Sequence, residues 1–397
     1  MNCALYIHVP FCVQKCDYCD FFSSTGNGAV SDEYIDALVS EELHYASLYG
    51  IDCWKTVYMG GGTPSLLSPS QISRFFSSIS KRISPSVTEE ITMEMNPETV
   101  TADRLKAAHD SGVTRLSIGI QSFNDSALKA INRHCTSRNA ENCLELVKKH
   151  WKGQLNLDAI AGLPVQDDQQ FMESLGKITS YDPDHVSLYT LTVEEGTPLH
   201  DRIEKGQVEF DFDRADSQWL EGRDFLESKG YRQYEVSNFA KEGKESRHNM
   251  TYWRQQDYVG IGAAASGTIY GGEKLRWTNT RNIKDYVTCW NTRKDAGAPG
   301  VPLEKEILTD DILEFEFIMM GLRTLEGINS AVYRERYSHV APWKGNLALR
   351  LGKGKGPWEN FTGLGMTKEK IEKDGSTTYA LNSSGILFLN RLLTELI

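Results

Sequence analysis

The stretch Leu5-Tyr6-Ile7-His8-Val9-Pro10-Phe11-Cys12-Val13-Gln14-Lys15-Cys16-Asp17-Tyr18-Cys19 sets three cysteines within eight residues, directly behind a short apolar, β-rich run. The spacing is C-x3-C-x2-C. Three thiolates on one loop can grip three corners of a cubane [4Fe-4S] cluster, whose full coordination takes four cysteines. Such a loop leaves one iron open to a small ligand, which a metal centre needs for catalysis or cofactor binding. The competing reading is a zinc site completed by His8 or Asp20. Zinc sites usually pair C-x2-C with a second, distant pair, and this chain has none.

Outward from the cysteines, Leu5–Val9 predicts a strand and Asp32–Ala46 a helix with Ser31 as N-cap. The alternation continues. Strands are expected at Thr56–Met59, Glu90–Met95, Arg115–Ile118, Leu155–Ile160 and His185–Leu191. Helices are expected near Pro69–Ile79, Ala102–Ser111, Asp125–Asn132, Arg138–His150 and Gln169–Thr179. Six strands alternating with helices predict a parallel α/β sheet, either a closed or partly closed barrel or an open doubly wound sheet. Gly60-Gly61-Gly62-Thr63, Glu94 with Asn96, Gln121 and Asp158 all fall at or just beyond the C-terminal ends of those strands. Ligands bind at that edge in both architectures. Each residue alone reads as a turn or cap; recurring at one edge, they read as a shared site.

Beyond about residue 200 the pattern gives way to longer irregular segments. Asp310–Leu325 predicts an amphipathic helix with acidic residues in its first turn, and Gly352–Gly356 a solvated glycine/lysine loop. A strand at Thr377–Leu381 and a helix at Ser383–Ile397 complete a small α+β, winged-helix-like tail.

The chain has 397 residues, enough for a large core, and its 40% hydrophobic and 24% charged residues are a globular composition. A net charge of −11 gives no general pull toward a phosphate backbone, so no nucleic-acid partner is expected. No apolar run approaches the ~18 residues of a membrane span, and the N-terminus does not read as a signal peptide. A cytoplasmic protein is expected. Of the eight cysteines, Cys3, Cys53, Cys135, Cys143 and Cys289 are scattered and read as ordinary packing residues.

The cysteine loop, with Tyr18 just before the third cysteine, resembles the radical S-adenosylmethionine (radical SAM) superfamily. Gly60-Gly61-Gly62-Thr63-Pro64 resembles the motif that receives the methionine amino group there. Glu94-Met95-Asn96-Pro97-Glu98, Arg115 through Phe123 and Asp158 through Pro164 are similar to the oxygen-independent coproporphyrinogen III oxidase-like branch. Tyr234 through Ala240 and His248-Asn249-Met250-Thr251-Tyr252-Trp253 resemble its HemW-type members, described as heme chaperones. The likeness runs over essentially the whole chain.

The resemblance implies a partial (β/α)6 barrel at 1–200, a family-specific extension at 201–305 and a winged-helix-like module at 306–397. It implies that Cys12, Cys16 and Cys19 hold the cluster, and that SAM chelates the open iron, where reduction can release a 5′-deoxyadenosyl radical. Tyr6, Tyr18, Gly61, Gly62, Thr63, Glu94, Gln121, Arg133 and Asp158 match the positions lining the SAM site. Their chemistry suits that role, since carboxylates accept from ribose hydroxyls or an ammonium, and Arg133 can fork a carboxylate. His248 matches a segment associated with heme binding; the alternative is that it ties a loop while Tyr252 and Trp253 pack. Ser266 stands where many relatives carry a histidine, so a second imidazole is missing there.

Two functions compete. One is coproporphyrinogen III dehydrogenase, which removes two propionate carboxylates in heme biosynthesis. The other is a chaperone that binds heme as cargo and passes it to client hemoproteins, with an electron donor serving the cluster. The dehydrogenase resembles C-x3-C-x2-C-x-C with an N-terminal extension. Here Phe21 takes the last cysteine's place and only one strand precedes Cys12. Both features favour the chaperone. Its clients can include membrane-bound proteins, with peripheral membrane association. RNA modification fits poorly with an acidic chain lacking a basic arm.

Overall fold

The computed structural model describes residues 1–26, 29–292, 303–340 and 343–396. Six parallel strands run in chain order: β1 Asn2–Val9, β2 Cys53–Gly61, β3 Glu90–Met95, β4 Arg115–Gln121, β5 Gln154–Ala161 and β6 His185–Thr190. The helices between them include Asp32–Leu48, Pro69–Ile79, Ala102–Asp110, Ser137–His150 and Asp168–Ser180. Side-chain caps close several of their first turns: Ser31, the expected N-cap, accepts from the Tyr34 amide, and Ser68 and Asp167 build capping boxes with Gln71 and Gln170.

Strand periodicity sorts the side chains into two faces. Leu5, Ile7, Val57, Met59, Ile91, Met93, Leu116, Ile118, Leu157 and Val186 are buried in one apolar core with the helices. The alternate positions are polar and meet one another on the other face. Asn156 Nδ2 lies 2.7 Å from Ser117 Oγ, 2.6 Å from Asp158 Oδ1 and 3.1 Å from Ser187 Oγ, while His185 Nδ1 lies 2.6 Å from Asn156 Oδ1. The barrel is therefore polar inside and apolar outside. An interior of this kind is built to hold a polar ligand.

Among the described residues the sheet has 12 strands, six more than the sequence pattern supplies. Tyr258–Ile261 joins β1 in parallel, followed by Ser266–Ile269, Leu275–Asn279 and Leu303–Ile307, all antiparallel. Beyond β6 come Asn238–Ala240 and Arg232–Gln233. The segments read as irregular are thus partly strands, too short for an alternation to register. Residues 293–302 of the expected extension lie outside the described residues.

The helix Arg247–Trp253 packs at the N-terminal ends of the strands. The Glu90 carboxylate, at the start of β3, accepts from Ser246 Oγ and from the Arg247 and His248 amides at 3.2, 2.9 and 3.3 Å. The C-terminal helix from Asp310 stops at Gly321, short of the expected Leu325, because the chain turns so that the Leu325 amide reaches the Tyr234 carbonyl at 3.0 Å. A second apolar core, with Phe317, Tyr333, Trp358, Leu381 and Leu392, joins that helix to a three-stranded sheet and the final helix Leu389–Leu396.

Ala264 takes a left-handed backbone, φ +65°, in the turn before Ser266. An L-side chain there costs about 1 kcal/mol. Ala264→Gly is expected to raise unfolding free energy by about that amount in urea titrations.

Candidate functional site

The loop after β1 carries the three cysteines across the C-terminal mouth of the barrel. Phe11–Cys12 pairs with Ser24–Thr25 in a short parallel ladder, closing the loop on itself. Asp17 anchors its middle: its carboxylate meets Arg202 Nη1 at 2.6 Å, its amide donates to Ile131 O, and its carbonyl accepts from the Leu199 amide. Gln14 Nε2 donates to the Asn132 carbonyl at 2.9 Å. Tyr18 packs against the small cluster of Ala127, Ile131, Ile160, Leu163 and Leu199. Cys12, Cys16 and Cys19 are partly buried; burial pushes the Cys16 and Cys19 thiols up, and Arg133 opposes the shift at Cys16.

The two residues weighed as completing a zinc site are placed as follows. His8 has both ring nitrogens engaged, with Tyr6 OH at 2.9 Å and the Phe22 carbonyl at 3.0 Å, and Asp20 is exposed. Among the described residues no three His, Cys, Asp or Glu side chains converge on a point where one metal ion could sit. A cubane spreads its thiolates around a larger body than a single ion does.

A belt of hydrogen bonds joins the first two cysteines around the mouth. Thr63 Oγ1 lies 3.7 Å from Cys12 Sγ, and Asn96 Nδ2 donates to Thr63 Oγ1 at 3.0 Å. Arg133 Nη2 then donates to Asn96 Oδ1 at 3.2 Å and to the Gly119 carbonyl at 2.7 Å, while Nη1 lies 3.7 Å from Cys16 Sγ. Asn96 belongs to the strand-end set read from the sequence as a shared site, though not to the residues matched to the SAM site. Its signal is its place two residues after Glu94, one strand repeat further toward the mouth.

The glycines after β2 have a steric reason to be glycines. Gly61 sits at φ +109°, and a Cβ on it would lie 2.4 Å from the His8 ring; one on Gly62 would lie 2.7 Å from the Phe11 carbonyl. The Gly62 and Thr63 amides donate to the Val9 and Phe11 carbonyls, pressing this turn against the cysteine loop. Gln121 closes β4 in a left-handed conformation, φ +68°, next to a register shift against β5. A bulge of this kind re-aims a side chain, and strain in a non-glycine residue concentrates at functional sites. Gln121 Oε1 and Arg133 Nε are buried without a hydrogen-bond partner, which leaves an acceptor and a donor for a ligand.

Glu94 and Asp158 project from β3 and β5. Glu94 accepts from Tyr58 OH at 2.6 Å and from the Gly61 amide at 3.1 Å. Burial nonetheless pushes its carboxyl up to about 7, and burial also raises Asp158 despite bonds from Ser187 and Asn156. The folded chain therefore keeps a proton on Glu94 that the unfolded chain has already released. This contribution to stability is full below about pH 4.5 and is lost as pH rises through about 7. Glu94→Gln is expected to make the decline shallower, read from urea midpoints at about pH 5 and about pH 7.5. Tyr6 stacks on Tyr58, 6.2 Å between centroids, and its hydroxyl fixes His8.

His248 lies elsewhere. It is 1% exposed, its Nδ1 is 2.9 Å from Thr56 Oγ1, its Nε2 is 2.8 Å from Tyr252 OH, and its ring stacks on Tyr58. Both ring nitrogens are thus engaged within the protein, an arrangement compatible with the packing alternative. Ser266, at the missing histidine, pairs with Thr278 Oγ1 at 2.8 Å inside the sheet. A cavity of ≈ 840 Å³ lined by Asn2, Cys3, Lys55, Glu89, Tyr270 and Lys274 opens at the opposite end of the strands and shares no residue with the mouth.

A family model described as the Radical SAM superfamily matches residues 6–178. The chain is 39% identical to heme chaperone HemW of Buchnera aphidicola (Schizaphis graminum), over 72% of this chain and 75% of that protein. Its identity to heme chaperone HemW of Escherichia coli is 36%, covering 81% and 83%. The mouse mitochondrial radical S-adenosyl methionine domain-containing protein 1 is 33% identical, covering 86% and 77%. Among solved structures, coproporphyrinogen III oxidase (HemN) of E. coli superposes with a TM-score of 0.80 at 20% identity, over 100% of this chain and 90% of that one, a likeness of fold. No described helix is long and apolar enough to cross a membrane. Identity above 30% across more than two thirds of its length places the chain in the HemW heme-chaperone family of the radical SAM superfamily.

Proposed function

We propose that this protein is a heme carrier built on a radical SAM scaffold, binding heme as cargo and passing it to client hemoproteins in the cytoplasm. Superfamily membership implies a [4Fe-4S] cluster and SAM, which together supply reductive cleavage chemistry when bound. Cys12, Cys16 and Cys19 would hold the cluster. Tyr6, Tyr18, Gly61, Gly62, Thr63, Glu94, Gln121, Arg133 and Asp158 would line the SAM site. In this reading Arg133 offers its free donor to a carboxylate, Gln121 its free carbonyl to an ammonium or hydroxyl, and the Gly61–Gly62 turn gives the ligand close access to backbone. Residues 1–200 would form the cofactor core, 201–305 the family extension and 306–397 the tail module, with an electron donor serving the cluster.

The observation that carries the carrier reading is the identity to proteins named heme chaperones, 39% and 36%, together with Phe21 where the dehydrogenase pattern has its last cysteine. Phe21 is 69% exposed beside the cluster loop, and its carbonyl accepts from Lys15 Nζ at 3.1 Å. The test runs two assays on one anaerobically reconstituted preparation. Saturable heme binding without decarboxylation of coproporphyrinogen III is expected; decarboxylation above the cluster-free background would overturn the reading.

A further inference from the structure

The cavity at the N-terminal ends of the strands takes no part in the site at the mouth. Its ≈ 840 Å³ lie between the barrel and the second apolar core, with Cys3, Lys55 and Tyr270 on one side and Leu313, Arg336 and His339 on the other. Ligand pockets of ~300–1,000 Å³ recur at such junctions between packed units.

His339 is the one histidine on this cavity among the described residues. Its Nε2 lies 3.0 Å from Asp310 Oδ2, and Lys274 Nζ holds the other oxygen of that carboxylate. No hydrogen bond reaches its Nδ1 among the described residues. A ring N–H directed at a carboxylate fixes the tautomer, orients the imidazole and leaves the second nitrogen a better ligand for a metal. His8, His185 and His248 have no such nitrogen, because both of theirs are engaged. Arg336, three residues before His339, lines the same cavity. Its guanidinium lies over the Phe317 ring, 5.0 Å to the centroid, touches the Arg254 carbonyl at 3.5 Å and forms no ion pair among the described residues. A fork of donors without a carboxylate is suited to take one. Tyr270 and Leu313 add apolar wall.

Heme asks for these features together: a nitrogen for its iron, a cation for a propionate and apolar surface for the macrocycle. We infer that this cavity is the seat of the heme cargo, with His339 as the iron ligand and Arg336 as the partner of a propionate. The inference rests on the carrier reading above. It sets cargo and cofactors at opposite ends of the barrel.

The experiment titrates heme, and metal-free protoporphyrin IX, into the reconstituted full-length protein. The free porphyrin keeps the propionates and lacks the iron. His339→Ala is expected to weaken heme binding by about tenfold or more and to shift the Soret band, with added imidazole restoring the band and the free porphyrin bound as in wild type. Arg336→Gln is expected to weaken both ligands by a similar factor. Gly271→Trp, on the cavity wall where an added Cβ meets nothing within 4 Å, is expected to exclude both. All three positions are exposed, so the variants should fold as the wild type does. Heme bound by His339→Ala and Gly271→Trp with wild-type affinity and an unshifted Soret band overturns the assignment and leaves the carrier reading standing. If the wild type binds no heme at all, the carrier reading falls and the assignment falls with it.

Discussion

Cys16→Ala, purified anaerobically and reconstituted beside the wild type, is expected to lose the iron–sulfur absorption and the retained iron and sulfide. A cubane held by three protein thiolates already lacks one protein ligand, and removing a second strips half of its coordination. The effect extends past the metal, because Cys16 Sγ is one end of the belt that runs through Arg133, Asn96 and Thr63 to Cys12. SAM binding is expected to fall with the cluster. Cys12→Ala and Cys19→Ala should behave alike. Cys143→Ala is the control, since Cys143 is 2% exposed within the helix Ser137–His150 and packs in the apolar core. A Cys143 variant that lost the cluster, or a Cys16 variant that kept it, would contradict the assignment.

His248→Ala is expected to cost about 3 kcal/mol of folding stability, because it opens a cavity and leaves two buried hydroxyls, on Thr56 and Tyr252, without their partner. Burial holds the imidazole neutral, its pKa lowered to about 3, so the ring acts as a packed hydrogen-bonding link and carries no charge at working pH. Urea titration reads the loss. At a temperature where the variant remains folded, heme titration should match wild type. Loss of heme binding with stability unchanged would make His248 the iron ligand.

The contrast between these two residues shows what a sequence can convey. Cys12, Cys16 and Cys19 are legible because a fixed spacing on one loop is a property of the chain itself. The same holds for β1 to β6, whose apolar runs are long enough to show a period, and for Ser31 as a cap. His248 is different. The segment from His248 to Trp253 reads the same whether the ring faces iron or Thr56, because its neighbours come from other segments of the chain. Arg115 is likewise visible as a residue but not as part of a constellation, since its charged neighbours lie on other segments. The strands Asn238–Ala240 and Ser266–Ile269 have three and four residues, so their pairing follows from the sheet they join more than from their own pattern. Gln121 can be placed at a strand end, but its left-handed turn arises from the shift in register against β5.

The most direct measurement of the central claim is transfer. Reconstituted protein loaded with one equivalent of heme is mixed with an apo-hemoprotein, and the acceptor's absorption is followed as the carrier's declines. A heme carrier predicts that the acceptor fills at the carrier's expense, with no porphyrinogen consumed in a parallel reaction. Heme that never binds, or never leaves, while coproporphyrinogen III is decarboxylated would contradict it.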